Sequence, residues 1–211
     1  MTISLKITDS IKSIEKNINS AIAEYINTKL NNNSKNIISE ISSHVPTWLR
    51  NQPEIVALLA KDNSSLAGYF GIAGSASDIV NAIVNSVTGS LIFKFVSYNN
   101  SLTRGGFEVY IQPENFANLL GLPQGHTIYQ GGDLHWLDWL LIRGDAIIVS
   151  NYQYNPSTGL GRSGLGNMIK GGAFRVPPQF AGTKTDNFVT RALSGNDQDK
   201  ILTNIFDKYL G

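Results

Sequence analysis

The spacing of apolar residues changes period once along this chain of 211 residues, and that change limits the fold more than any motif. Before residue 90 the apolar residues recur at steps of three and four. Ile11, Ile14, Ile18, Ile22, Tyr25 and Ile26 form one stripe of an amphipathic helix over 9–30, which Asp9 or Ser10 can cap by accepting an orphan backbone N–H. Asn31-Asn32-Asn33 is expected to break this helix. A second helix around Ile37, Ile38 and Ile41 is expected to end at Pro46, because the residue before a proline avoids the helical region. Pro53 suits the first position of a short helix through Ala60, with Glu54 near its positive end. Residues 62–75 are small and Gly-rich and read as a loop. Ser75 or Ser77 then caps a helix with Ile79, Val80, Ile83, Val84 and Val87 on one face.

Beyond residue 90 the period falls to two. Leu91 to Tyr98 is rich in β-branched and aromatic residues, and Phe107, Val109 and Ile111 alternate with Glu108, Tyr110 and Gln112. The intervening Asn99–Gly106 turn predicts a hairpin. A short helix over 114–120 is closed by Gly121, Leu134 to Ile142 reads as a buried helix, and Ala146 to Tyr154 as a strand. Residues 155–172 read as one long flexible Gly-rich loop, with a short strand at Phe174 to Val176 stopped by Pro177-Pro178. Helices over Asp186–Leu193 and Asp197–Leu210 close the chain, the second with Ile201, Leu202, Ile205, Phe206 and Tyr209 on one face. The order predicts an α+β fold: N-terminal helices, a small antiparallel β-sheet with inserted helices, a long Gly-rich loop and C-terminal helices. Residues 1–90 form a helical N-terminal region, and 91–211 carry the sheet and the C-terminal helices, the whole expected to make one compact unit with 155–172 extended.

Composition narrows the function classes. Charged residues make up 16% of the chain, against about 25% in an ordinary soluble domain, and Asn, Ser, Thr and Gly fill the difference. Such a surface repels itself little and suits a protein covered by neighbours. The net charge of +1 sets up no global field for nucleic acid or membrane. With no cysteine, disulfides and Cys-based metal or nucleophile sites are excluded. Residues 1–30 show no basic segment followed by an apolar block, and no apolar run is long enough to span a bilayer, so synthesis in the cytoplasm is expected.

Polar clusters that could carry chemistry each have a plainer reading. His126, Asp133 and His135 have the donor types of a zinc or iron site, but their spacing matches no metal motif, and ordinary loop polarity is the plainer reading. His135 and Asp138 are three apart on the expected helix and could touch, with Ser163 as a conceivable nucleophile. However, Gly-Arg-Ser-Gly-Leu-Gly lacks the glycine spacing of a nucleophile elbow. Gly159-Leu-Gly-Arg-Ser-Gly spells Gly-x-Gly-x-x-Gly without the strand–helix context of a nucleotide site. Arg143-Gly144-Asp145, an adhesion tripeptide by letters, sits at an expected helix–strand junction. No catalytic, cofactor or metal residue is assigned, and the chain is not expected to be an enzyme.

Charge placement is more informative. Arg162, Lys170, Arg175, Lys184 and Arg191 face only Asp186 between Leu160 and Leu193; Glu108, Glu114, Asp133, Asp138 and Asp145 face only Arg143 between Gly105 and Asp145. Separated patches of opposite sign let copies dock head to tail, and such contacts generate rings when the rotation between copies closes. Basic residues can also touch phosphates without reading sequence. The plain alternative is two solvated faces.

Ser163-Gly-Leu-Gly-Asn-Met-Ile-Lys, Phe174-Arg-Val-Pro-Pro-Gln-Phe-Ala-Gly-Thr and Asp186-Asn-Phe-Val-Thr-Arg-Ala-Leu, preceded by Trp136-Leu-Asp-Trp-Leu-Leu and Gly144-Asp145, resemble the neck or tail-completion (head–tail connector) proteins of long-tailed bacteriophages. The resemblance covers roughly residues 70–210. Pro178, Phe180, Ala192 and Leu193 match that family's proline-containing segment and the helix after it, while Gly71 to Asp78 is a weak counterpart of its basic, Gly-containing segment. The resemblance implies a structural protein of the virion neck, made in the host cytoplasm. It would form a homo-oligomeric ring between head connector and tail, contact other neck, connector and tail proteins, and let DNA pass with non-specific contacts and no membrane. Arg162, Lys170, Arg175, Pro178, Phe180, Lys184 and Arg191 are the candidate subunit, ring or DNA-channel contacts. A tail terminator capping the tail tube is the alternative within the class. A small metal-dependent hydrolase using His126, Asp133 and His135, or a host-cell binding module acting through 155–172, are the alternatives outside it.

Overall fold

A computed structural model describes residues 8–129, 131–157 and 161–211. The class is α+β, as the change of period predicts, with helices dominating and, among the described residues, the strands in three separate two-stranded sheets rather than one. The chain divides into two compact units that do not follow its linear order. The first is built from residues up to Ile41, Ile92–Tyr110 and Ile201–Gly211; the second from Ser42–Leu91 and Ile111–Lys200. Among the described residues no helix is long and apolar enough to cross a membrane.

Helix α1 (Ile11–Arg50) supplies residues to both units. Ser10 caps it, its Oγ accepting from the Ser13 N–H at 3.2 Å. The expected break at Asn31–Asn33 and the expected stop at Pro46 are both overturned, since the helix runs through them. An asparagine costs a helix only about 0.7 kcal/mol relative to alanine. Asn33 offsets this with its own side chain, whose Nδ2 donates to the Lys29 carbonyl at 3.0 Å and to the Tyr209 carbonyl at 3.1 Å. Pro46 removes one backbone donor, at a cost of about 3 kcal/mol. Against that, Val45, Trp48 and Leu49 around it are all buried, and tertiary burial overrides the local preference.

In the first unit, Leu30, Ile37 and Ile41 of α1 pack with Ile205 of α8 (Asn196–Leu210). The expected apolar face of α8 is the one used: Ile201, Leu202, Phe206 and Tyr209 flank that core. Strands β1 (Leu91–Val96) and β2 (Gly106–Ile111) pair, and β2 alternates in burial as its period requires. Phe107 of β2 meets Phe93 of β1 at 6.0 Å and stands edge-on to Phe206 at 5.7 Å between ring centres. Asn27 closes the end of β1 by exchanging two bonds with Tyr98: Nδ2 donates to its carbonyl at 2.9 Å, and Oδ1 accepts from its N–H at 2.7 Å. Glu40 accepts from both Lys208 Nζ and Tyr209 Oη at 2.8 Å.

In the second unit, α2 (Pro53–Leu59), α3 (Leu66–Tyr69), α4 (Ala76–Gly89) and α5 (Ala117–Leu120) precede the hairpin of β3 (Thr127–Tyr129) and β4 (Gly132–Leu134). Helix α6 (Leu137–Leu141), the hairpin of β5 (Val149–Asn155) and β6 (Asn167–Phe174), and α7 (Phe188–Ala192) follow. The α4 face lies as expected, with Ile79, Val80, Ile83, Val84 and Val87 all buried and Ser75 capping through the Asp78 N–H.

Four local expectations are corrected. Residues 62–75 contain α3, started by the buried Ser65, whose Oγ accepts from Gly68 N–H. The helix expected over 114–120 is only α5, and Leu134 belongs to β4, so the expected 134–142 helix shortens to α6. Residues 155–172 are not one loop, because Asn167 onward pairs antiparallel with β5, from Asn155↔Asn167 to Val149↔Phe174. The register slips between Ser150 and Tyr152, where Asn151 stands opposite Gly171 and Gly172, all at positive φ. Those two glycines, which read as loop, form a β-bulge.

Candidate functional site

Two features of the second unit gather residues capable of chemistry, one on each face of the β3–β4 hairpin. The pairing is Thr127↔Leu134, Ile128↔Asp133 and Tyr129↔Gly132. Because side chains alternate along a strand, Thr127, Tyr129 and Leu134 share one face, and Ile128 and Asp133 share the other. Burial agrees: Thr127 is 7% exposed and Ile128 77%. His126 and His135 flank the paired residues and fall on the Asp133 face.

That placement draws three donors together. His126 Nδ1 lies 3.0 Å from Asp133 Oδ2, and His135 Nε2 lies 3.3 Å from the same oxygen. The imidazole centres are 3.7 Å apart. His126 is half-buried, while Asp133 and His135 are exposed. Each histidine adjoins an anchored residue. His126 follows the 3-10 turn Pro123–Gly125, whose buried Gly125 sits so close to Leu137 that a Cβ would come within 3.3 Å of it. His135 precedes Trp136, which is fully buried and stacked on Phe70 at 5.5 Å.

The other face borders a cavity of about 450 Å³. Its wall is mostly aromatic and aliphatic and includes the Tyr69 ring. That ring lies 4.7 Å from Phe174, nearly parallel, and 5.0 Å from Tyr154. Tyr69 Oη donates to the Arg175 carbonyl, and burial pushes the phenols of Tyr69 and Tyr154 up from their ordinary value. The described part of the Gly-rich segment, Gly161 to Gly166, forms one wall. Gly166 sits at φ +50, where a Cβ would come 2.5 Å from the Asn155 carbonyl oxygen, so only glycine fits.

The residues singled out in the sequence scatter. Ser163 does not join a triad: its Oγ bonds the Leu165 carbonyl at 3.1 Å and the Gly68 carbonyl at 3.5 Å. Asp138 pairs with Arg143 at 3.0 Å instead of with the His135 side chain. The Gly-x-Gly-x-x-Gly letters begin at residues outside the described set. Of the candidate contacts, Lys170, Arg175, Pro178 and Lys184 are exposed, and Phe180 is half-buried in the 3-10 turn Pro178–Phe180. Arg162 is exposed but donates to the Ile128 carbonyl.

Arg191 is taken up internally, paired with Asp186 at 2.6 Å and with Glu54. Glu54, which lies at the positive end of α2 as expected, is fully buried. Burial pushes its carboxyl up from the ordinary value, against the pull of its own backbone N–H and of the Arg191 charge. The sequence carried no local signal for Tyr69, Tyr154 and Phe174 as a cavity wall, because they meet only where Tyr69 of α3 packs against both β5 and β6. Comparison with protein-family models, with curated proteins and with solved structures returned no match to this chain.

Proposed function

We propose that this chain is a structural virion protein of a long-tailed bacteriophage, one subunit of a multimeric neck ring that joins the head connector to the tail and lets DNA pass. One observation carries the reading. Along the first half of α1, Ile11, Ile18, Ile22 and Tyr25 stand 75%, 53%, 40% and 54% exposed. With half-buried Ile14 between the first two, these residues keep the three-and-four spacing of a buried stripe, and the described residues leave the four largely uncovered. A contiguous apolar stripe left in solvent marks a surface that another protein covers. The occupant proposed is a second copy of the chain, since a surface with only 16% charged residues opposes self-association weakly. The resemblance of segments within 136–193 to head–tail connector proteins directs the reading to the neck. Exposed Lys170, Arg175 and Lys184 supply non-specific contacts to phosphates of passing DNA. Mass photometry on the pure protein, alone and mixed with connector and tail components, tests this. Rings, or a shift to large mass in the mixtures, support it; a strict monomer under every condition refutes it.

A further inference from the structure

We propose that His126 Nδ1, Asp133 Oδ2 and His135 Nε2 form a binding site for one divalent transition-metal ion of the zinc class. The inference rests on the β3–β4 register and is independent of the assembly reading. Zinc–nitrogen and zinc–oxygen bonds are about 2.0–2.2 Å long, so ligand atoms about 90–110° apart at the metal stand roughly 3.0–3.4 Å from each other. The two histidine nitrogens lie 3.0 and 3.3 Å from Asp133 Oδ2, within that range. All three donor atoms lie within 4.8 Å of one another. A rotation of His135, 46% exposed at its side chain, closes the remaining edge.

The donor set selects the ion. Two imidazole nitrogens and one carboxylate oxygen suit zinc, cobalt, nickel or iron, whereas magnesium and calcium require oxygen ligands throughout. The scaffold anchors the donors: Asp133 lies in β4, His126 and His135 directly flank the paired residues of the hairpin, and buried Thr127 and Trp136 hold the backbone beside each histidine. Each ring offers one nitrogen lone pair to the ion and keeps its proton on the other nitrogen. Three protein ligands leave at least one coordination position, and the exposure of the cluster directs that position to solvent. This is the open arrangement of zinc sites that exchange a water for another ligand, not the closed four-ligand arrangement of structural sites. The ligand class fitting the open position is a small oxygen or nitrogen donor.

The test uses the full chain, treated with chelator, dialysed and titrated with zinc chloride in a calorimeter, with cobalt(II) absorption as a second readout of coordination geometry. One ion per chain is expected. Asp133→Asn and His135→Ala should each weaken it by about 100-fold or more, because even partners outside the ligand sphere cost 10- to 100-fold. Both side chains are exposed, so thermal melting should show the variants folded as the wild type. Magnesium should not compete. The absence of saturable uptake, or uptake equally tight in both variants, overturns the proposal.

Discussion

Glu54 of α2 and Arg191 of α7, separated by 137 positions, meet as an ion pair inside the second unit. Only one carboxylate oxygen is engaged, because Oε2 is buried with no hydrogen-bond partner. Removing the cation therefore strands a charge away from water. A broken buried pair costs about 3–5 kcal/mol, and with Arg191 37% exposed, solvent screening lowers the expectation for Arg191→Ala to about 2–3 kcal/mol. Glu54→Gln removes the buried charge together with the pairing and should cost less than about 1 kcal/mol. All three tryptophans, Trp48, Trp136 and Trp139, belong to the second unit, so urea denaturation followed by their fluorescence reads it selectively.

The same carboxyl gives stability a pH signature. Burial raises its pKa above the ordinary 4.5, so the folded chain binds that proton more tightly than the unfolded one. The contribution is present in acid, falls as pH rises from the unfolded value through the folded one, and is constant beyond. Unfolding free energies of wild type and Glu54→Gln, compared from about pH 4 to pH 8, should diverge against the wild type as pH rises. Divergence in its favour would show that the Arg191 charge outweighs burial.

Asn187 should be among the costliest polar positions. It is fully buried, and Oδ1 accepts from the N–H groups of Val189 and Thr190 at 3.0 and 3.1 Å, capping α7. Its Nδ2 donates to the carbonyls of Thr183 at 2.8 Å and Leu141 at 3.3 Å. Loss of a cap costs up to about 2 kcal/mol, and each buried group left unpaired adds about 1 kcal/mol or more, so Asn187→Ala should lose about 3 kcal/mol. Asn187→Ser keeps a cap acceptor without adding a charge and loses the Nδ2 donors. An alanine variant no less stable than the serine one would contradict this account.

On α1, Ile18→Glu combined with Ile22→Glu should abolish multimers and leave the fold intact. Exposed positions of this kind change stability by about 0.5 kcal/mol or less. Mass photometry and thermal melting of the same sample separate the outcomes. Unchanged assembly would remove the stripe as the interface, and a collapsed melt would mean that the stripe is needed inside the chain.

What local periodicity encodes was legible in the sequence: the α4 face, the α8 face, the alternation of β2, and therefore the α+β class. These patterns survive because each element buries one side, and burial imposes its own period. Where local preference and burial disagree, burial decides. Asn31–Asn33 and Pro46 lie inside α1 because the apolar residues flanking them are packed, and Gly171 and Gly172 lie in a strand because a bulge absorbs them. The three donors of the proposed metal site were visible as residue types but not as a constellation. Strand register, set by pairing across the hairpin, puts His126, Asp133 and His135 on one face. Glu54 was legible only as a carboxylate near the positive end of α2, and the docking of α7 against α2 made it a buried ion-pair partner. Composition and period set which elements form, since those depend on neighbours along the chain. Tertiary packing decided which distant side chains meet, since that depends on pairings no short window contains.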